Sequence, residues 1–213
     1  MDNPDSLSSI FTNIFNCHTF GGRETVSGPG SDLEQTGVLI AELPGLFEKL
    51  TICSLLDLPC GDFNWMKHVD LRGIEYIGAD IVPELTQHNR SLYSSEFVNF
   101  TTLNLVEDKL PQVDLILCRD CLVHLCDRDV TKALRNIFSS GAKYLLTTTF
   151  PGRGRSWDIT AGGWRPINLQ AAPFNLPEPL QILNEQCPEA GGAYKDKSLG
   201  LWRVKDVLCP LAI

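Results

Sequence analysis

Five short apolar runs set what this chain can fold into: Cys53–Leu58, Tyr76–Ala79, Phe97–Phe100, Val113–Cys118 and Tyr144–Thr148. Each is too short for a buried helix and is bounded by turn formers, so each predicts a strand. Most of the segments between them suit helices. The clearest is 128–140, where Val130, Ala133, Leu134, Ile137 and Phe138 share one face, with Asp127 placed to cap the start and Gly141 the end. Strands alternating with helices imply a parallel sheet covered on both faces. Leu180–Asn184 and Leu199–Val204 add two more strands, and the Gly191-Gly192 pair between them predicts an antiparallel return. The expected fold is therefore α/β and doubly wound in three layers. It has about seven strands, mostly parallel, with one antiparallel strand near the C-terminus.

The 213 residues fit one domain, 1–213. Residues 1–45 divide into an irregular first thirty and a helix over 32–43. "SDLEQT" reads as a capping box on Ser31 and Glu34, and Pro44-Gly45 ends or kinks the helix. Residues 50–150 form the core of the sheet. In 151–178 the rhythm fails, because proline and glycine crowd the segment too densely for a regular element. Residues 179–213 hold the C-terminal strand pair. No stretch approaches the ~20 apolar residues of a membrane span. The N-terminus has acids rather than a basic start, which predicts no secretory leader. The eight cysteines are then expected to stay reduced in a cytoplasmic protein. A net charge of −8 argues against nucleic acid as a partner.

The stretch "SLLDLPCGDFNWM" raises the functional question, because an apolar strand ends on Asp57 and hands over to a turn with a single glycine, Gly61. In an open parallel sheet, ligands collect outside the carboxyl ends of the strands. A small residue in the first turn lets the backbone approach a ligand. "YIGAD" places Asp80 at the end of the second strand, where an acid accepts both hydroxyls of a ribose. This pair points to a nucleoside cofactor. A dinucleotide site would need G-x-G-x-x-G and amides facing a pyrophosphate. The acids Asp57 and Asp62 would repel a pyrophosphate and suit a cationic, phosphate-free ligand such as S-adenosyl-L-methionine.

Over about 50–150 the order of motifs resembles the class I S-adenosylmethionine-dependent methyltransferases, which have a Rossmann-like sheet. That family's first motif is acid-x-Gly-x-Gly-x-Gly. In "DLPCGDF" Asp57 and Gly61 match it, while Pro59 and Phe63 stand at the outer glycine positions. The resemblance implies that Asp80 binds the ribose, that Ile81 packs on the adenine, and that Asn104 in "LNL", followed by Leu105, faces the adenine amino group. In "LCRDCLVHL", Arg119 and Asp120 fall where the family faces the sulfonium end of the cofactor and the acceptor. Amides near Ser31, at the start of the 32–43 helix, would help hold the cofactor's carboxylate.

The expected activity is in-line methyl transfer to a small polar or anionic molecule. An oxygen or nitrogen acceptor must lose a proton, and His124 and Asp120 are the candidate bases. In 151–177 Arg153, Arg155 and Arg165 face only one acid, Asp158. With Trp157 and Trp164 they read as a lid over the acceptor, Trp164 and Arg165 being its expected anchors. Cys118, Cys121, His124 and Cys126 crowd into nine residues, which is poor spacing for zinc, and no metal is expected. Three rivals remain at this point: a nicotinamide-dependent oxidoreductase on a related sheet, a non-catalytic cofactor-binding or interaction domain, and a metal-binding module. The sequence leaves the oligomeric state open.

Overall fold

The computed structural model describes residues 5–207; residues 1–4 and 208–213, the ends of the expected domain, lie outside it. The strands are β1 (Ser54–Asp57), β2 (Glu75–Asp80), β3 (Val98–Thr102), β4 (Leu115–Cys118), β5 (Tyr144–Thr149), β6 (Gln181–Asn184) and β7 (Ser198–Arg203). They form one sheet in the order β3-β2-β1-β4-β5-β7-β6. β1 is parallel to β2, β2 to β3 and β4 to β5, whereas β7 runs antiparallel to β5 and β6. The mostly parallel seven-stranded sheet with one reversed strand is the one expected. The chain divides into two compact units, one ending at Asn104 and the other starting at Leu105.

In the first unit, the first thirty residues are not irregular throughout. Leu7–Asn16 is a helix, α1, capped by Ser6, whose Oγ accepts from the amide of Ser9 at 3.2 Å. The signal was present: Leu7, Ile10, Phe11, Ile14 and Phe15 recur at helical spacing. The second helix, α2, spans Leu33–Leu50 and starts from Asp32, so the capping box on Ser31 does not form. Glu24 instead accepts from the Leu33 amide, at 3.2 Å and 3.3 Å. α2 also runs through Pro44. An interior proline costs about 3 kcal/mol. Burying Leu46 and Phe47 on the stripe begun by Leu39 and Leu43 contributes roughly 1.5–3 kcal/mol each, so the helix continues. It ends at Thr51, which takes a left-handed conformation (φ 55).

A helix of this unit, α3 (Pro83–Tyr93), links β2 to β3. The β1–β2 link is a loop with one 3-10 turn, at Met66–His68. It sends Phe63 into the core, where the ring meets Tyr76, Tyr93 and Phe100 at centroid distances of 5.2, 5.3 and 5.1 Å. In the second unit all four residues of β4 are fully buried. The fourth helix, α4 (Asp127–Ser139), buries Val130, Ala133, Leu134 and Ile137, four of the five positions expected to share a face. Its cap residue is Cys126, one position before the expected Asp127.

Candidate functional site

At the end of β1, Asp57 is buried and accepts a 2.7 Å hydrogen bond from the Tyr76 hydroxyl, supplied by β2. The chain then turns through Pro59, whose peptide bond to Leu58 is cis, to Gly61 in a left-handed conformation (φ 54). Three contacts hold this turn against β2 and α3. Cys60 donates its amide to Ala79 O at 2.7 Å. Gly61 donates to Asp80 Oδ2 at 3.1 Å, and Gly61 O accepts from Asn89 Nδ2 at 2.7 Å. Asp80 Oδ1 accepts from the Val82 amide at 3.0 Å. Asp80 thus takes the Gly61 amide on Oδ2 and the Val82 amide on Oδ1, and the Ile81 amide also favours its ionised form, leaving about one of its roughly four acceptor sites. Burial is the main influence on Asp80 and outweighs those amides, pushing its carboxyl up to about 6 from 3.8. Burial, then the charges of Asp80 and Asp57, push the neighbouring Cys60 thiol well up.

The segment before α2 lies over this turn. Thr25 Oγ1 donates to both Asp62 oxygens, at 2.8 and 2.7 Å, and the Val26 amide donates to Oδ2 at 3.0 Å. Ser27 Oγ fills the space that a β-carbon on Gly61 would need. The close approach that Gly61 permits is therefore made by the chain's own Ser27. Ser31 takes part through its carbonyl, 3.5 Å from Asn64 Nδ2. Ile81 and Asn104 are half-buried beyond the ends of β2 and β3. Ser27, Tyr76 and Asn89 are structural partners that sequence reasoning missed. Asp62, read there as an acid suited to a cationic ligand, is instead bonded by Thr25 and Val26.

In the second unit, Arg119 and Asp120 follow β4 directly. Asp120 has a left-handed backbone (φ 50), and its amide donates to Thr148 Oγ1 of β5 at 2.8 Å. Its Oδ2 accepts from Lys197 Nζ at 2.5 Å and lies 3.3 Å from Arg119 Nη1. Arg119 Nη2 also bonds Glu185 Oε2 at 2.7 Å, and Lys197 lies 3.5 Å from the same oxygen. Burial works to raise the Asp120 carboxyl, but Lys197 and Arg119 prevail and hold it at about 2. Such an acid is too weak a base to take a proton near neutral pH. His124 differs. Its Nδ1 lies 2.7 Å from Gly163 O, and a carbonyl can only accept, so Nδ1 carries the proton and Nε2 the lone pair. Burial lowers its pKa from 6.5, against the bond to Gly163 and the charge of Asp120, and keeps the ring neutral. Sequence reasoning missed Glu185 and Lys197, charges set directly after β6 and before β7.

Leu105 is buried, and its carbonyl accepts from Asn136 Nδ2 at 2.7 Å. The irregular 151–178 segment is zipped to the residues after β4 by Gly162 N to His124 O at 2.9 Å and Arg165 N to Val123 O at 3.1 Å. Arg165 does not present its charge outward as expected of an acceptor anchor. It is fully buried, with Nη1 on Leu125 O and Nη2 on Asp127 Oδ1, both at 2.7 Å, so it pegs the segment down. Arg153 is likewise paired, with Asp196. These partners lie outside 151–177, where a count of local charge does not see them. Ile167, Leu169, Phe174 and Leu176 are core residues. Trp164 is 39 % exposed and meets Tyr194 edge-on at 4.9 Å, while Trp157 is 64 % exposed. Among the described residues no group of three or more His, Cys, Asp or Glu side chains is placed to hold a metal ion.

No protein-family model and no curated protein sequence matches this chain. Solved structures do. Magnesium protoporphyrin IX methyltransferase from Synechocystis PCC 6803, crystallised with bound SAM, aligns with a TM-score of 0.53 and 18 % identity over 75 % of this chain and 83 % of its own. Human N-acetylserotonin methyltransferase in complex with SAM aligns with a TM-score of 0.52 and 14 % identity, covering 92 % of this chain and 67 % of that one. The chain spans 66 % of the methyltransferase domain of bacterial CtHen1, at a TM-score of 0.48 and 14 % identity. The first two likenesses establish the fold. This chain has the Rossmann-like fold of the class I S-adenosylmethionine-dependent methyltransferases, as the resemblance in "DLPCGDF" and "YIGAD" implied.

Proposed function

We propose that this chain is a methyltransferase of one domain, 1–213, which binds S-adenosyl-L-methionine and methylates a small polar molecule in the cytoplasm. The observation that carries this is the Asp57–Gly61–Asp80 arrangement on a fold whose solved neighbours were crystallised with that cofactor. The residues suit the group. Asp57, Asp62 and Asp80 gather like charge around the turn, which favours a cation and a sugar diol and disfavours a pyrophosphate. Asp80 retains acceptor capacity for a ribose hydroxyl. Pro59, Ile81, Asn104 and Leu105 are proposed to border the nucleoside, and Ser31 the amino-acid end; Arg119, expected there too, is buried against Glu185 and supports Asp120 instead.

When bound, the cofactor supplies an electrophilic methyl group on a positively charged sulfur. The chain's own tasks are to align the acceptor in line with that methyl, to exclude water and to remove a proton where the acceptor carries one. For an O–H or N–H acceptor His124 Nε2 would take the proton, while the bound cofactor would supply the methyl carbon and keep the S–C electron pair as a neutral thioether. Asp120, held ionised, orients the acceptor and is not the base. Trp164 is proposed to line the acceptor's approach. A net charge of −8 favours a small acceptor over nucleic acid. The pairing of Arg153 and Arg165 with acids of this chain favours a polar acceptor over an anionic one. A screen of sugars, carboxylates and phenols for S-adenosylhomocysteine production tests this reading. Product with one class, lost in His124→Asn, supports it. No product with any class, together with no cofactor binding, defeats it.

A further inference from the structure

Arg119, Asp120, Glu185 and Lys197 form a set of two bases and two acids in which Asp120 is the most exposed. The side chains of Glu185, Arg119 and Lys197 are 1 %, 3 % and 7 % exposed, and that of Asp120 is 23 %. We propose that Lys197 is a positioning residue that holds the Asp120 carboxylate by Oδ2, leaving Oδ1 to receive a neutral hydroxyl of the acceptor. The word acceptor rests on the methyltransferase reading. All four residues belong to the second unit.

The two Asp120 oxygens are unequally engaged. Oδ2 takes Lys197 at 2.5 Å and has Arg119 at 3.3 Å, whereas among the described residues Oδ1 has a long 3.4 Å contact with Thr148 Oγ1. A carboxylate oxygen accepts two donors, so Oδ1 has room for one. The side chain cannot swing away easily. Its backbone is left-handed, a conformation that side chains seldom adopt, and the Thr148 bond to its amide fixes the turn. Glu185 divides the cations. Its 2.7 Å bond occupies Arg119, while its 3.5 Å distance leaves Lys197 to Asp120, and Glu185 Oε1 is buried with no hydrogen-bond partner among the described residues.

The formal charges of the four cancel, and this selects the ligand. An ammonium at Oδ1 would approach Lys197 and Arg119, and an anion would approach Asp120 and Glu185. A hydroxyl meets neither repulsion and still gains a hydrogen bond to a charged acceptor. A purely structural network would tie β6 and β7 to β4 equally well, but it would place no demand on Asp120 in particular.

The test is a carbon-detected NMR titration of the Asp120 carboxyl in the whole chain, without any S-adenosyl compound. Lys197, Arg119 and His124 face this group, with Glu185 behind the two cations. Wild type is expected to titrate far below 3.8, at about 2. Lys197→Met is expected to raise the midpoint by about one unit or more, and Lys197→Arg to restore most of the difference. Glycerol is expected to move the wild-type Asp120 resonance, and tetramethylammonium at equal concentration is not. A wild-type midpoint near 3.8, or an unchanged one in Lys197→Met, overturns the role of Lys197. A response to tetramethylammonium, or none to glycerol, overturns the hydroxyl assignment. Should Lys197→Met fail to fold, the wild-type titration and the two probes decide alone. Failure here leaves cofactor binding untouched, and failure to bind cofactor leaves this titration untouched.

Discussion

Ser27 Oγ stands where a β-carbon on Gly61 would have to go. The motif glycine is thus required twice, by its left-handed backbone and by a neighbour from the segment before α2. A left-handed conformation costs an ordinary side chain roughly 1–2 kcal/mol. Gly61→Ala is expected to lose at least that much in chemical denaturation, with a further part from Ser27. Adding Ser27→Gly should return the second part and leave the first. If the double variant is no more stable than Gly61→Ala, the contact with Ser27 is not what excludes a side chain.

Asp80 gives a pH dependence with a definite sign. Its folded pKa of about 6 lies above the ordinary 3.8, so the protonated form favours the fold. This contribution is complete below about pH 4 and is lost as pH rises through about 6, a swing on the order of 3 kcal/mol. Asp80→Asn should therefore gain stability relative to wild type between pH 4 and 6. Asp120, held at about 2, acts in a separate window, stabilising above 3.8 and losing that effect toward 2. Equal slopes for wild type and Asp80→Asn between pH 4 and 6 would contradict the burial argument.

The 151–178 segment separates into a peg and a rim. Arg165→Ala leaves Asp127 without its cation and should cost about 3 kcal/mol, the low end for a buried pair, because Asp127 keeps some contact with water. Trp164→Ala loses two edge-on aromatic pairs, with Tyr194 and Phe150, each worth about 0.5–1.5 kcal/mol, and should leave the fold intact while reducing turnover. Thermal unfolding of both variants checks the contrast. A Trp164→Ala protein that matches wild type in turnover would make the rim mere packing.

Much of this was legible in the chain. Period and length identified all seven strands, and the acids ending β1 and β2 marked the turn with Gly61. What stayed hidden shares one physical cause: it depends on partners far away in sequence. Arg165 reads as a free charge until Asp127 is found beside it, and Lys197 reads as a hairpin surface residue until Asp120 is. The reach of α2 past Pro44 was hidden for a related reason. Local propensity stops the helix there, and only the burial of Leu46 and Phe47 carries it on. Helix α1 is a different case, because the helical spacing of Leu7, Ile10, Phe11, Ile14 and Phe15 is local and present in the sequence itself.

His124 and Asp120 should separate in kinetics once an acceptor is in hand. With Nδ1 protonated toward Gly163 and a pKa below 6.5, His124 remains a base below that pH. His124→Asn should lower kcat by roughly 10²–10⁴-fold on a hydroxyl acceptor. Asp120→Asn should chiefly raise KM. Inverted effects would exchange the two roles.

Calorimetric titration with S-adenosylhomocysteine, set beside NADH, tests the central claim most directly. Wild type should bind the former and not the latter, and more tightly at pH 7 than at pH 5, because a ribose hydroxyl binds the ionised Asp80. Asp80→Ala should lose on the order of 1.5–3 kcal/mol of that binding. Wild type that binds NADH instead, or an Asp80→Ala variant that binds S-adenosylhomocysteine as tightly as wild type, would contradict the account.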